Sequence, residues 1–458
     1  MGSEWPTVRL GDHIETCLGK MLDKQKNVGA LHPYLGNKSV RWGSFNLDEL
    51  SEMRFQDHEH EKYGLRHGDL VVCEGGEPGR CAIWKDRVPD MKIQKALHRI
   101  RPKKGLELDV YYLFYWLTFN AKIGRLDAFF TGTTIKHLTG RALVELRLEL
   151  PPIPTQESIS RILRSLDDKI ELNRRMNETL ESMARALFKS WFVDFDPVID
   201  NALAAGNPIP EPLSARAETR RALGPQRKPL PKNIQNHFPS SFVFDDEMGW
   251  IPAGWESVTI SDMVESISET YPLKDVEKVI FLNTGDILAG CFLHDDYSPV
   301  KGLPGQAKKT IQKDDILFSE IRPKNKRHAF VDFDVSDYVV STKLMVLRSR
   351  GNVESLFTYF LLKQESTTNH LQMMAESRSG TFPQITYTQL ETVRFTLPDC
   401  DKLLSYFCSQ FLGPQFEQSR KRDRESETLT KLRDTLLPKL LSGELRIPDA
   451  EKLVAGSL

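Results

Sequence analysis

Apolar residues in the middle of the chain alternate in steps of four and three from Ile159 to Trp191. A repeat of 3.5 residues is typical of a coiled-coil seam, in which one helix faces a partner helix. Thr155 follows a proline-rich start and is predicted to cap this helix. Two seam positions are polar, which lowers stability but fixes the register of a helix pair. The predicted seam residues of the two helices are Leu163, Leu166, Ile170, Asn173, Asn177, Leu180, Leu187, Leu429 and Leu436.

The second half of the chain carries a similar helical pattern. Leu180 recurs as Leu429, and Leu187 recurs as Leu436. We expect this second helix to be kinked or restarted at Gly413-Pro414, because proline cannot donate the helical hydrogen bond. The strict alternation favours an antiparallel pair of the two helices, with one globular domain at each end. Two amphipathic helices that each pack on their own domain are the alternative.

The repeat extends beyond the helices. Asp69 precedes an apolar run in the first half, as Asp315 does in the second. Gly132-Thr133 similarly recurs as Gly380-Thr381, ahead of a run that ends in Leu-Pro. The matches keep their order along the chain, so we predict an internal duplication with a pseudo-two-fold arrangement.

The globular parts combine short apolar runs, punctuated by glycine and proline, with helical patches. This mixture predicts a mixed α/β (α+β) fold, with two globular domains joined by two long antiparallel coiled-coil helices. The predicted segments are a first domain at 1–150, a helix at 151–196, a proline-rich and partly extended linker at 197–244, a second domain at 245–398, a second helix at 399–445 and a tail at 446–458.

Composition narrows the class of protein. The 458 residues carry 62 cations and 63 anions, which argues against a protein that coats nucleic acid by bulk charge but does not exclude local basic patches. No apolar run reaches about 18 residues and the first ten residues have no apolar core, so we expect neither a membrane span nor a signal peptide. The six scattered cysteines form no C-x-x-C pair, which favours reduced thiols in the cytoplasm.

The motifs of catalysis are missing from the sequence. No G-x-x-x-x-G-K-[ST] loop and no Pro-Pro-Tyr sequence occurs. The nearest approach to a nuclease site is the set Asp315, Glu320 and Lys324, and charged residues at a strand edge are the favoured interpretation. His58-Glu59-His60 lacks further metal ligands and is interpreted as a solvated turn. We therefore expect no catalytic residue and no metal site in this chain.

Basic and hydroxyl side chains point instead to contact with phosphates and bases. Residues 322–327 hold four cations in a stretch that proline and asparagine mark as a loop. Such loops donate to phosphates, and arginine reads guanine edges with two hydrogen bonds. A solvated loop, and Gly-Thr turns with a purely structural role, are equally weighted alternatives. The candidate DNA-binding residues are Lys38, Arg41, Arg80, Thr133, Lys136, Arg322, Lys324, Lys326, Arg327, Arg378 and Thr381.

Several separated motifs carry a resemblance to a known family. Residues 151–157, 166–170 and 186–197 resemble the central conserved region of Type I restriction-modification specificity (S) subunits. Residues 247–255 resemble the start of that family's second recognition domain, and residues 436–445 resemble its conserved C-terminal end. The motifs occur in the family's order and cover the whole chain.

The resemblance implies a non-catalytic DNA specificity subunit in which each globular domain reads one half of a split, asymmetric site in double-stranded DNA. It implies that the helices set the spacing between the halves and dock two methyltransferase subunits and, through them, restriction/translocase subunits. S-adenosylmethionine, ATP and Mg²⁺ are then expected on the partner subunits, with none in this chain. The competing hypotheses are a pseudo-symmetric scaffold that bridges two identical partners without DNA, and a nuclease in its own right.

Overall fold

The computed structural model describes residues 5–23, 27–48, 50–132, 134, 136–224, 230–351, 353–378, 380–399 and 401–456. The chain divides into two compact units. The first comprises Met1–Arg175 with Arg422–Leu458, and the second comprises Met176–Lys421. Each unit therefore holds one globular domain together with parts of both long helices.

A four-stranded antiparallel sheet forms the centre of the first unit. Its strands lie in the order Ile14–Leu18, Leu97–Pro102, Leu70–Cys73 and Cys81–Ile83. The run Leu70–Cys73 is continuously apolar because both faces of this strand are buried. Leu70 and Val72 pack in one apolar cluster, whereas Val71 packs in another on the opposite face.

Smaller strand pairs complete the first globular domain. Ala30–Leu35 pairs antiparallel with Ser51–Phe55 and parallel with Lys92–Ile93. Thr7–Arg9 pairs with Arg147–Glu149, and Val40–Arg41 pairs with Ser44–Phe45 in a short hairpin. The α-helices of this domain are Leu10–His13, His60–Tyr63, Val110–Lys122 and Gly140–Val144, and the 3-10 turns are Asn37–Ser39, Asp57–Glu59 and Asp127–Phe129.

The second unit repeats this topology and adds the strands Ala307–Lys309, Phe242–Asp245 and Gly249–Pro252. Its central sheet has the order Val264–Ile267, Leu344–Ser349, Ile316–Ser319 and His328–Phe330. Lys278–Leu282 again pairs antiparallel with one strand, here Tyr297–Pro299, and parallel with another, here Tyr338–Ser341. The remaining pairs are Ala307–Lys309 with Tyr338–Ser341, Trp255–Thr259 with Arg394–Pro398, Ile287–Leu288 with Cys291–Phe292, and Phe242–Asp245 with Gly249–Pro252. The predicted mixed fold and internal repeat are confirmed.

Helices cover the sheets of the second domain as they do in the first. Ser355–Leu362 is apolar on nearly every side, and six of its residues are buried. The other helices of this domain are Ile260–Met263, Glu365–Arg378 and Tyr387–Leu390, and its 3-10 turns are Leu273–Asp275, Thr284–Asp286 and Pro323–Asn325.

The first long helix, called here the central helix, spans Ile153–Phe188 and starts before the predicted cap at Thr155. Its first turn holds Pro154, which costs little there because the first helical N–H groups have no partner within the helix. A π-turn at Lys189–Val193 ends it, where Asp194 N donates to Lys189 O at 2.7 Å.

The second long helix, called here the C-terminal helix, spans Gly413–Ser442. Asp401–Phe407 and a π-turn at Cys408–Leu412 precede it. Pro414 lacks an N–H, and the backbone widens to a π-turn immediately before it. The chain stays helical through this π-turn, so the kink or restart expected at Gly413-Pro414 takes the form of a local widening and not of a break.

Contacts between the two long helices are antiparallel in each unit. In the first unit Asn173 Nδ2 donates to Glu425 Oε2 at 2.8 Å, and Arg433 Nη1 donates to Asp167 Oδ1 at 2.6 Å. The residue numbers of these contacts rise along one helix as they fall along the other, so the two helices run antiparallel. In the second unit the Gln415 side chain donates to the Leu180 carbonyl. Because the helices contact each other, the alternative in which each packs only on its own domain is wrong.

Seam residues differ in burial along the pair. In the first unit Leu163, Leu166, Leu429 and Leu436 are buried in one cluster, with Ile170 partly buried against it and Asn173 only 3% exposed. In the second unit Asn177, Leu180 and Leu187 are half-buried. The core there uses Ala184, Phe188 and Trp191 instead, and Trp191 packs against Phe407 and Phe411.

The segment 197–244 is largely helical, so its predicted extended character is wrong. It holds Asp196–Ala205, Glu211–Leu223 and Lys232–Gln235. Proline stands in the first turn of the first two of these helices, where it favours helix initiation instead of interrupting the helix. Arg216 ties the two together by donating to both oxygens of buried Asp196 at 2.7 Å.

The predicted tail at 446–458 also contains a helix, Ile447–Ala455. Ala450 and Val454 are buried in the core of the first unit. Among the described residues, no helix is both long and apolar enough to cross a membrane.

Candidate nucleic-acid interface

Three loops of the first unit converge next to its central sheet. Asn37 Nδ2, at the start of one loop, donates to Gly75 O of the second loop at 2.8 Å. Leu138 N, at the end of the third loop, donates to Glu74 O at 2.7 Å. These hydrogen bonds hold residues 36–42, 74–80 and the described residues among 131–138 (131, 132, 134 and 136–138) together, and this set is called here the first loop cluster.

The first loop cluster brings together most of the candidate residues predicted in the first domain. Lys38 is exposed, and its ammonium has no partner among the described residues. Arg41 donates to the carbonyls of Lys38 and Val40 at 2.6 and 3.1 Å. Lys136 is exposed on the third loop, 3.8 Å from Asp127, and Thr133 lies outside the described residues.

Arg80 is bound within the protein more than the sequence suggested. Its Nη2 donates to Asn37 O at 2.9 Å, and its Nη1 donates to Glu77 Oε2 at 2.8 Å. Its side chain is only 15% exposed. Arg80 therefore clamps one loop of the cluster onto another, in addition to contributing positive charge.

The second unit uses the same clamp. Arg327 Nη1 donates to Gly285 O at 2.6 Å and to Ile287 O at 3.0 Å. The carbonyls of Arg80 and Arg327 each accept a hydrogen bond from the last residue of the preceding strand, Cys73 or Ser319. The two arginines thus occupy equivalent positions in the repeat.

The remaining candidate cations of the second domain lie on a loop held by residues 381–385. Arg322 N donates to Pro383 O at 3.1 Å, and its Nη2 donates to Thr381 O at 3.3 Å. Arg322, Lys324, Lys326 and Thr381 are exposed. Arg378 is also exposed, with Nη1 donating to Gln389 Oε1 at 2.7 Å. The structure therefore brings Arg322 and Thr381 together and leaves cationic groups facing solvent.

Backbone strain marks the same loop. Arg322 and Lys326 have φ values of +44° and +53°, in the left-handed region that favours glycine. Strained backbone is concentrated at functional sites, where the surrounding structure holds it. Here the hydrogen bonds to Thr381 and Pro383 supply that support.

Carboxylates considered for catalysis are occupied by structural partners. Asp315 binds Arg348, and Glu320 pairs with Lys343 at 3.1 Å. Glu59 pairs with Lys20 at 2.5 Å. Among the described residues, no group of three or more His, Cys, Asp or Glu is placed to hold a metal ion.

The thiol beside the first clamp is neutral. Burial raises the pKa of Cys73, and the nearby Arg80 guanidinium offsets only part of that effect. A protonated thiol adds no charge to the loop cluster. None of the cysteines that the structure describes forms a disulfide.

A cavity at the first loop cluster was missed by the sequence analysis. It has a volume of about 420 Å³ and its lining combines cations, amides and an aromatic ring. Its lining residues are Tyr34, Gly36, Asn37, Lys38, Ser39, Ser51, Arg80 and Gln94. Only Lys38 and Arg80 stood out in the sequence, because no motif or period marks Gln94 or Tyr34.

The chain contains two copies of one mixed α/β domain. Each copy has loops beside an arginine clamp and is continued by a long helix, which defines a duplicated recognition architecture. The family model for the Type I restriction modification DNA specificity domain matches residues 2–182 and 252–410. The chain belongs to this family, as the motifs in its sequence indicate.

Individual relatives agree with this assignment. The Type I restriction enzyme HindI specificity subunit of Haemophilus influenzae is 47% identical over 146 residues, which is 32% of each chain. The MjaIX specificity subunit of Methanocaldococcus jannaschii is 26% identical over 396 residues, covering 83% of this chain and 78% of the relative. The crystal structure of the Type I S subunit from M. genitalium superposes with a TM-score of 0.52 over 96% of both chains at 16% identity, which shows a shared fold.

Proposed function

We propose that this chain is the DNA sequence-specificity subunit of a Type I restriction-modification complex. Each of its two globular domains reads one half of a split, asymmetric site in double-stranded DNA. The observation that carries the proposal is the repetition of one framework with different loops. Two readers of unlike half-sites need the same scaffold and different contacts.

The framework shared by the two domains includes the arginine clamp and an ion pair with a buried aspartate, which is Asp69 with Arg101 in the first domain and Asp315 with Arg348 in the second. Arg80 and Arg327 hold equivalent loops, through Asn37 O and Gly285 O. The loops themselves differ, with an amide side chain at Asn37 and a hydroxyl at the equivalent Thr284. This pattern supports two domains with a common fold and separate base preferences.

Exposed cations on both domains supply contacts to the DNA backbone. Lys38 in the first domain and Lys324 and Lys326 in the second face solvent. Each phosphate contact made by a lysine or arginine releases counterions, so affinity falls as salt rises. Because the net charge is only −1, we expect the chain alone to bind random duplex weakly and to gain affinity within the complex.

Apolar side chains left open on the central helix fit the docking of partner subunits. Leu172 is 50% exposed in the first unit, and Met183 is 62% exposed in the second. We infer that these surfaces contact two methyltransferase subunits, through which restriction/translocase subunits join. S-adenosylmethionine, ATP and Mg²⁺ then act on the partner subunits, this chain has no catalytic role, and the complex works in the cytoplasm.

A scaffold that bridges two partners without DNA gains no support from the relatives, whose names describe specificity subunits. The two functions differ in a simple measurement. Methylated adenines are mapped genome-wide in cells that express the methyltransferase subunits with or without this chain. The proposal requires methylation of one split site only when the chain is present, whereas an unchanged methylation map would reject it.

A further inference from the structure

We propose that the cavity at the first loop cluster reads an adenine in the major groove, through the side-chain amide of Gln94. This inference rests on the proposed function and names a contact within it. All the residues that line the cavity belong to the first domain, so the cavity serves one half of the split site.

Gln94 is placed to meet a ligand. It follows the strand Lys92–Ile93 and lines the cavity, half-buried, while its side-chain amide has no hydrogen-bond partner among the described residues. A Cβ atom at Gly36 would lie 4.0 Å from Gln94 Oε1 and 3.8 Å from Tyr34 Cε2. The amide and the aromatic ring therefore flank the same glycine, which leaves room between them.

Asn37 adds a second amide, of which only the oxygen lacks a partner. Its Nδ2 donates to Gly75 O at 2.8 Å, and this bond fixes the orientation of the amide. Its Oδ1 is buried and accepts no hydrogen bond within the described structure. An unpaired buried acceptor costs free energy, and Asn37 is one of the residues that line the cavity.

The absence of a side chain at Gly76 leaves the space that the Asn37 amide occupies. Gly76 has a φ of +75°, and a Cβ atom there would come within 2.5 Å of Asn37 Nδ2. A side chain at residue 76 would therefore displace the Asn37 amide.

The free groups select the base. Adenine presents the N7 acceptor beside the N6 amino donor in the major groove, and a glutamine amide matches that pair with two hydrogen bonds. Cytosine offers only an amino donor, which would leave the Gln94 amide nitrogen unsatisfied. Guanine offers two acceptors and pairs best with arginine, but Arg80 already donates to Asn37 O and Glu77.

The second domain lacks this amide pair. Leu35 pairs with Ile93 in the first copy as Leu282 pairs with Val340 in the second, so Gln94 corresponds to Ser341. Ser341 is fully buried, and the same register makes Asn37 correspond to Thr284, which carries a hydroxyl instead of an amide. The difference falls at the cavity and not in the framework, as expected for a position that sets specificity.

The test uses the full chain assembled with its methyltransferase subunits and a duplex library randomised across both half-sites. We expect the wild-type complex to select an adenine at one position of the first half. Gln94→Ala should reduce that preference by about tenfold. Gln94→Arg should shift it towards guanine, and neither variant should alter the second half.

Glu52→Gln is the matched control, because Glu52 neighbours cavity-lining Ser51 on one strand and points to the other face. It should leave both halves unchanged, and thermal unfolding confirms that the Gln94 variants are folded. If both folded Gln94 variants select the wild-type base at every position, the inference is wrong while the proposed function stands. If the wild-type complex selects no sequence, the proposed function fails and the inference fails with it.

Discussion

Arg348 donates from Nε and Nη2 to the two carboxylate oxygens of Asp315, both at 2.9 Å. Asp315 is fully buried in the second domain. The first domain repeats the arrangement, with Arg101 donating to Asp69 at 2.5 and 2.7 Å. The hydrogen bonds to these aspartates raise the pKa of both arginines. The duplication thus preserves a buried charged pair at the centre of each domain.

Removing one member of this pair should destabilise one domain selectively. Asp315→Ala leaves the Arg348 guanidinium largely buried without its main partner, which typically costs roughly 3–5 kcal/mol. We predict that loss in the free energy of unfolding of the second unit, measured by hydrogen exchange of its amides. Asp69→Ala is the matched variant and should act on amides of the first unit. Equal effects of either variant on both units would contradict the assignment.

The Arg80 clamp should depend on geometry more than on charge. Arg80→Lys keeps the positive charge but cannot hold Asn37 O and Glu77 with a planar fork. We predict about tenfold weaker binding to the specific DNA site, at a stability cost of about 1–2 kcal/mol. The slope of log affinity against log salt should stay unchanged, as measured by fluorescence anisotropy.

Lys38→Ala provides the contrast to that variant. Its exposed ammonium is suited to a phosphate, so its loss should weaken binding to specific and random duplex alike and reduce the salt slope by about one. If Arg80→Lys behaves like wild type and Arg80→Ala behaves like Lys38→Ala, then Arg80 is a phosphate contact and not a clamp.

The second unit should lose stability in mild acid through His328. Burial, together with nearby Lys363, lowers the pKa of this imidazole to about 4, and its Nδ1 lies 3.1 Å from the Tyr359 hydroxyl. Below about pH 6.5 His328 becomes protonated in the unfolded chain but stays neutral in the folded chain. The free energy of unfolding of the second unit therefore falls as the pH drops towards 4. The free energy of unfolding that is lost once the pH is below 4 is about 3 kcal/mol.

His328→Gln removes the titrating group and keeps a hydrogen-bonding partner for Tyr359. Urea unfolding followed between pH 7 and pH 4 should show a flatter profile for the second unit in this variant. An identical profile in wild type and variant would rule out His328 as the source of the pH dependence.

Aspartate variants at two leucines of the central helix should distinguish an effect on folding from an effect on the docking of a methyltransferase subunit. Leu166 is fully buried among the helix seam and the first domain, so Leu166→Asp should unfold the first unit. Leu172 is 50% exposed, so Leu172→Asp should leave the free energy of unfolding within about 0.5 kcal/mol of wild type while weakening assembly with a methyltransferase subunit. Sedimentation of mixtures measures assembly. Full assembly of Leu172→Asp would show that this surface is not the docking site.

The sequence predicted the features that depend on local periodicity and repetition. The alternation of four and three identified Leu163 and Leu166 because a helix seam is a local pattern. The recurrence of Asp69 at Asp315 marked equivalent positions of the repeat. Neither signal showed that each aspartate pairs with an arginine from a neighbouring strand.

The features that the sequence did not predict depend on residues that are distant along the chain. Arg80 is a clamp because Asn37 O lies within its reach, and Gln94 lines a cavity because its strand pairs with Ala30–Leu35. The helix Glu211–Leu223 was missed because proline was interpreted as a helix breaker, although it favours the first helical turn.

The exchange of a single domain tests most directly whether the two copies read separate half-sites. Residues 1–150 are replaced by the first domain of another family member that recognises a different site, and the methylated sites of the assembled complex are mapped. We predict that one half of the recognised site changes to that of the donor while the other half is retained. A change in both halves, or in neither, would contradict the division of recognition between the two domains.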